Sequence, residues 1–534
     1  MQKILGGISL LSLLCCLAFE PAYSQKHCVA ITDSTLGLSL PLKWSYVNRE
    51  SLWLRTSNAA GLSVSEVERI GMATLDINHE IGDFRRPQEP YESNSYGFSA
   101  AKYERVKGLK LYGSFSFKQV DESALGGTDI LNPYRGTPYV YADYTSAKWI
   151  KQVYRLNALV ATNHFWERYY GGLGINYGVA TGARQLDPRP LSMSNDLTVT
   201  PSIMGQFGRF QFGLNGVVET FKEALDFKFS NSNKQYHFIK MLGLASYKDA
   251  VMEDTEERTY KGFAAGAEVQ GKYCWLGNAV MLSGGYRSYS ETTTDGYSVK
   301  QNGGDYSRNR YYGFAAFEKR PSFGKLQIIV GGDFVQHEGS ESDQKFVSND
   351  PTNPHYVTLF KTVKYKATSD NVYSELNMFG LTNGNVRWIG GLRISMESID
   401  QKYFFTPKSE LKFTSLSVGP NFTRQWSFGS LALLPSAAFT YYHVLSSSLS
   451  VGNLVTGLSW EADNITYPDF EYLTTNRCKV SVGCKLIRPL RMKGKVYSSF
   501  IDFHWDGQTS TDAFSLKRNS SRQWFSISVG LSYL

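Results

Sequence analysis

Beyond its first 24 residues the chain has no apolar run approaching the roughly 18 residues a membrane helix needs. Charged residues are scarce, at 19% against the usual ~25%. The net charge of +8 is spread thinly, and no basic cluster accompanies it, which excludes a nucleic-acid footprint. There is no G-x-S-x-G elbow and no H-E-x-x-H pair, and the eight histidines are scattered. The reading therefore assigns no enzyme activity, no catalytic residue, no metal site and no cofactor.

Cysteine is also sparse. Cys15 and Cys16 fall in the leader, which leaves Cys28, Cys274, Cys478 and Cys484. Cys478 and Cys484 lie six residues apart on one predicted strand, about 20 Å, and cannot pair with each other. They read as small outward hydrophobes in phase with Val480 and Val482. A Cys28–Cys274 disulfide at the barrel rim is left open.

Residues 1–24 read as a secretory signal peptide. Lys3 supplies the charged region, Ile4–Ala18 the apolar stretch, and Ala22-Tyr23-Ser24 a small-x-small cleavage site. An exported chain with no spanning helix is either free beyond the inner membrane or a β-barrel.

What the chain does have is alternation. In the last ten residues Phe525, Ile527, Val529, Leu531 and Tyr533 face one way, and Ser526, Ser528, Gly530 and Ser532 the other. The same period of two recurs at Leu109–Phe117, Phe210–Val218, Leu326–Phe334, Val386–Ile394 and Tyr497–Trp505. Aromatics at 14% and 48 glycines suit barrels with aromatic girdles. The pattern predicts an all-β fold: a transmembrane antiparallel β-barrel of about 18 strands, within a range of 14–18. Short turns near 107–108, 208 and 276–277 alternate with longer loops at 83–93, 120–150, 181–195, 229–258, 292–306, 339–362 and 446–474. That predicts short periplasmic turns and long extracellular loops. The barrel is expected over 70–534. Residues 25–69 form either a periplasmic arm or a small plug in the lumen. The segment 57–69 reads as a turn and short helix, with Asn58, Gly61 and Leu62 as candidate hatch residues.

The inward phase carries the candidate lumen-lining residues Glu375, Arg387, Arg393, Glu397, Asp502, His504 and Asp506. The charges of this set serve either as structural cross-strand pairs or as a selective constriction. Asp502, His504 and Asp506 span ~13 Å along one strand, too far for a single metal without other donors. The loop strings Phe84–Tyr91, Asn132–Tyr139 and Asp187–Pro190 concentrate Pro, Tyr and Arg, which predicts loops folded over the barrel mouth as a lid or a partner site.

These loop strings, with Ser57–Leu62 and Tyr139-Val-Tyr-Ala-Asp143, resemble a Bacteroidota-type family of outer-membrane β-barrel proteins of unknown function. The resemblance implies a location and no activity. Asn58-Ala-Ala-Gly-Leu62 is similar to the Asn-Pro-Ala-Gly-Leu of long-chain fatty acid transporter barrels, with Ala59 in place of the proline. A 22-stranded receptor with a large plug domain would need a longer chain. The terminal Ser-x-Gly and Tyr533 resemble the signal read by the barrel assembly machinery, with Leu534 where an aromatic usually ends it.

The function expected is an outer-membrane channel or transporter for a small or hydrophobic solute. The alternative is a non-conducting surface barrel whose loops hold a partner protein, lipid or glycan. Expected partners are outer-membrane lipid, the assembly machinery and a surface lipoprotein or receptor, with no nucleic acid.

Overall fold

The computed structural model describes residues 33–230, 234–252, 257–348, 354–404, 408–452, 459–492, 495–512 and 520–534. The predicted signal peptide and Cys28 lie outside the described residues. Cys274, Cys478 and Cys484 are free thiols.

The chain folds into a closed antiparallel barrel of eighteen strands. Each strand pairs with its sequence neighbours. The last, Ser521–Tyr533, returns to the first, Arg69–Gly82, with Tyr533 opposite Gly71 and Arg522 opposite Gly82. One strand is interrupted at Gln425, and both of its pieces, Ser409–Arg424 and Trp426–Phe428, pair with Leu431–Ser450. Closure removes every free sheet edge within the paired wall, which a strand in lipid requires.

The alternation in the sequence resolves into an apolar exterior. Phe525, Ile527 and Val529 are 44%, 49% and 53% exposed, and Ser532 beside them is buried inside. Near one rim the exterior carries touching rings: Phe165, Tyr169 and Phe207, then Phe210, Tyr273 and Trp275, then Phe323, Trp388 and Phe422. An aromatic belt of this kind matches the girdle at a membrane–water interface.

Turns at this rim are tight. Lys107-Gly108, Leu276-Gly277 and Asn383-Gly384 each hold two positive φ angles, as two-residue type I′ hairpins demand. Among the described residues the other connections on this rim are 162–168, 208–209, 320–323 and 429–430. Among the described residues the opposite rim carries 83–91, 126–146, 185–188, 234–252, 296–300 and 459–476.

The structure corrects the predicted loops at 181–195, 292–306 and 339–362. Strands run on to Arg184, Asp295 and Val347 and resume at Arg189, Gln301 and His355. Three long insertions remain, with described residues 126–146, 234–252 and 459–476. They contain Tyr141–Asp143, the hairpin Tyr236–Gly243 and Ser246–Met252, and a π-helical turn Ala462–Thr466 leading into the helix Tyr467–Thr474.

Many glycines make room for rings on the adjacent strand. An added Cβ would meet the ring of the directly opposed residue at 2.4 Å for Gly71 and Tyr533, 2.5 Å for Gly331 and Tyr373, and 2.6 Å for Gly285 and Tyr312. The ring covers backbone that a larger side chain would otherwise shield.

The barrel lumen as candidate functional site

Before the first strand, the helix Asp33–Glu50 and the 3-10 turns Trp53–Arg55 and Ala59–Val64 lie inside the wall at the short-turn rim. The helix is apolar on several faces. Leu38 and Leu42 pack with Phe379, Ile389, Ile487 and Phe500, while Leu40, Trp44 and Val47 pack with Ile70, Tyr103 and Ala161. The wall buries these apolar side chains, while Lys43, Asn48 and Arg49 stay exposed. The break after Glu50 is satisfied by the barrel: Gln327 Nε2 donates to the Glu50 carbonyl at 2.5 Å. Lys325 Nζ donates to the Glu50 carboxylate at 2.6 Å and lies 3.0 Å from Glu318.

The contacts of this segment go round the wall. Trp53 Nε1 donates to Gln211 Oε1 at 2.8 Å. Arg55 pairs with Glu375 at 2.8 Å. Asn58 caps the second 3-10 turn by accepting from Ala60 N–H, and its Nδ2 donates to Gln270 Oε1 at 2.9 Å and to the Ile203 carbonyl at 3.2 Å. Ser202 Oγ accepts from Ala60 N–H, and Ser63 Oγ donates to the Thr162 carbonyl. Ser498 Oγ donates to the Gly37 carbonyl. Gly61 permits a close approach: a Cβ there would lie 2.7 Å from Trp53 Cβ. Leu62 is buried against Trp44 and Val47.

At mid-height the wall carries charge pairs. Arg393 reaches Glu375 at 2.6 Å, so Glu375 bridges Arg393 and Arg55. Lys485 lies 3.3 Å from Asp502, Lys479 3.5 Å from Asp506, and His504 Nε2 3.1 Å from Asp506. Arg155–Asp196, Arg287–Glu219 and Arg310–Asp333 continue the belt. Glu397 is exposed and takes no ion pair among the described residues. Arg387 is not brought to the others. It sits at a register shift between Gly380 and Leu381 of the neighbouring strand, exposed, with its carbonyl accepting from Gln425 N–H. That shift also separates Val386, which packs inward against Leu38, from Trp388, which stacks on Phe323.

The described parts of the three insertions pack over the long-loop rim. Tyr141–Asp143 adds to the Tyr236–Gly243 hairpin as a third strand. Tyr141, Phe227, Phe238 and Tyr260 form a ring cluster beneath, with Ile130 and Met241. Arg86 forms a bidentate pair with Asp469 at 2.7 and 2.6 Å and lies 3.6 Å over the Tyr134 ring. Arg184 joins Asp129 at 3.2 Å and Asp143, all buried. Buried Arg258 binds both oxygens of Asp295 at 2.5 and 2.9 Å, and Lys240 adds a contact at 3.1 Å. The Pro, Tyr and Arg of the loop strings marked this region. The carboxylates that complete it, Glu291, Asp295 and Asp469, lie elsewhere in the sequence and gave no local signal.

Burial drives two loop carboxyls upward. Asp129, enclosed beside Asp143, is pushed well above the carboxylate range, against the pull of Arg184. Glu461, buried and hydrogen-bonded by Thr466, is pushed up to about 8. Among the described residues no three metal-ligating side chains converge.

Among the described residues the lumen holds two sizeable cavities of note. One of about 500 Å³ sits over the N-terminal segment, lined by Thr56, Ser57, Asn157, Asn176, Thr198 and Thr200 with Arg155 and Arg287. The other, about 460 Å³, lies under the cap between residues 133–138, the 461–469 insertion and the wall at Arg308, Arg310, Asp333 and His337.

No curated protein matches the chain. Solved structures with some similarity include the ferric preacinetobactin receptor BauA of Acinetobacter baumannii, at 9% identity over 87% of this chain and 80% of that one, TM-score 0.36. The ferric yersiniabactin uptake receptor FyuA of Yersinia pestis shares 9% identity over 86% and 80%, TM-score 0.39. The RagAB peptide transporter shares 6% over 87% of each chain, TM-score 0.38. The model of the family of unknown function DUF6850 matches residues 59–533, and the chain belongs to that family.

Proposed function

We propose that the chain is a transporter of a Gram-negative-type outer membrane, of the Bacteroidota kind, closed at rest by residues 33–68 acting as a plug. One observation carries this reading: the segment before the first strand is hydrogen-bonded to the wall at points around the lumen, from Thr162 and Ser202 through Gln211, Gln270, Gln327 and Glu375 to Ser498. An arm resting on the barrel mouth would not bury Leu40, Leu42 and Trp53. The ion-paired belt favours a small polar solute over a hydrophobic one, because an apolar compound would desolvate these charges without replacing their water.

In this reading residues 1–24 direct export, the assembly machinery inserts the barrel, and the apolar exterior with its ring belt meets lipid. The tight turns face the periplasm and the insertions face outward. Glu375, Arg393, Glu397, Asp502, His504 and Asp506 line the path, Arg387 being displaced from it by the register shift, and Asn58, Gly61 and Leu62 belong to the hatch. No catalytic role is assigned.

A second reading is a surface-binding barrel whose cap holds a partner protein, lipid or glycan. The buried Arg258–Asp295–Lys240 and Arg184–Asp129–Asp143 networks favour it, since they fix the cap rather than free it. Uptake into liposomes reconstituted with the full chain separates the two. Entry of small polar solutes above empty liposomes supports transport. Retention of every solute, with capture of a surface lipoprotein on intact cells, supports the binding barrel.

A further inference from the structure

We propose that the cavity beneath the cap binds a small solute through an oxyanion, carboxylate or phosphate, and that Arg308 grips it. The purpose of such binding rests on the transporter reading; its geometry does not.

The cavity holds about 460 Å³, within the range of small-molecule sites. Four guanidinium groups reach its wall: Arg86, Arg135, Arg308 and Arg310. Three are engaged. Arg86 pairs with Asp469 at 2.7 and 2.6 Å, Arg135 with Glu291 at 2.9 Å, and Arg310 with Asp333 at 2.9 Å. Arg308 has neither a carboxylate partner nor a hydrogen bond among the described residues.

Its position is nevertheless set. Arg308 stands opposite Tyr289 on one neighbouring strand and opposite His337 on the other. Its guanidinium lies 5.0 Å over the Tyr289 ring, and His337 Nδ1 is held by Tyr306 Oη at 2.6 Å. The loop closes onto this spot, for a Cβ on Gly136 would lie 3.0 Å from Tyr306 Oη. A guanidinium stays charged at any physiological pH, and its fork matches a carboxylate or phosphate with two parallel bonds. A half-buried one without a partner is a charge waiting for compensation.

The rest of the wall suits an anion. Gln88, Thr368, Ser369 and Gln401 supply neutral hydrogen-bonding groups. Asp333 and Asp469 are already neutralised by their arginines. Glu461, with its carboxyl pushed up to about 8 by burial, is mostly protonated at neutral pH and does not repel an anion. Arg308 therefore leaves the cavity with one uncompensated positive charge.

The test is calorimetric titration of the purified full chain in detergent micelles with succinate, inorganic phosphate and sucrose. Binding of succinate or phosphate with no heat from sucrose is expected, and the tighter of the two anions names the source of the oxyanion. Arg308→Gln should weaken that binding at least tenfold. Arg308→Lys, which keeps the charge and loses the fork, should fall between. Heat-dependent gel mobility checks that each variant still forms the barrel, and if Arg308→Gln does not, Arg308→Lys carries the comparison. Wild-type protein that binds neither anion would overturn the proposal, as would a folded variant that binds like wild type. Either failure leaves the plug and its conductance, which are measured separately, untouched.

Discussion

Arg55 of the N-terminal segment donates to Glu375 of the barrel wall at 2.8 Å, and Arg393 holds the same carboxylate at 2.6 Å. One wall residue thus ties the chain inside the lumen to the charged belt. Glu375→Gln removes the negative charge that two arginines share and replaces one accepting oxygen with a donor, whereas Arg55→Gln leaves Glu375 paired with Arg393. Glu375→Gln should cost up to about 1.5–3 kcal/mol of barrel stability, the worth of hydrogen bonds to charged groups, and Arg55→Gln less. Urea titrations of both variants check the order. Equal losses would show that Glu375 does not act as a bridge.

The seam between first and last strands depends on Gly71 lying under the Tyr533 ring. Gly71→Val drives a branched side chain into that ring, and overpacking of this kind costs about 1–3 kcal/mol. The variant should show a lower temperature for the heat-dependent gel shift, and Tyr533→Ala in the same chain should restore part of it. No recovery in the double variant would mean that the valine acts elsewhere.

Glu461 makes the cap pH-sensitive. Its folded value of about 8 stands above the ordinary carboxyl value of 4.5, so the folded cap holds the proton more tightly than the unfolded chain does. The stability it contributes is present in full below about 4.5 and is lost as pH rises through about 8. Hydrogen exchange of residues 459–474 should therefore be slower at pH 5 than at pH 9, after correction for intrinsic rates. Glu461→Gln should flatten the difference. Equal protection at the two pH values in the wild type would refute the linkage.

The wall was legible because lipid and lumen impose opposite demands on alternate residues, as at Phe525–Leu531. Legibility ended where those demands end. Gly339–Val347 and His355–Thr362 are paired strands, but their sequence alternates weakly and reads as loop, and among the partners across the pairing are Ser342 with Lys361 and Asp343 with Phe360. The helix Asp33–Glu50 was hidden for another reason. Leu38, Leu40 and Leu42 alternate with Gly37, Ser39 and Pro41, a strand-like period, and Pro41 sits inside the helix. Only the wall around it makes sense of a helix that buries Leu38, Leu40, Leu42 and Trp44 on more than one face. Arg387 was misleading because one register shift displaces it from the phase of Arg393. Arg308 could not be distinguished from its neighbour Arg310, since which arginine keeps a carboxylate depends on residues from other strands.

Planar-bilayer conductance of the chain with residues 25–63 deleted, compared with the full chain, bears most directly on whether the N-terminal segment closes the barrel. Both proteins must first show heat-dependent gel mobility, which certifies an intact wall. The full chain is expected to sit at a closed or low-conductance level, with the deleted form showing stable, large, ohmic steps. Conductance that is the same in both would contradict the account, because a segment bonded around the wall from Thr162 to Ser498 could not be removed without opening the lumen it fills.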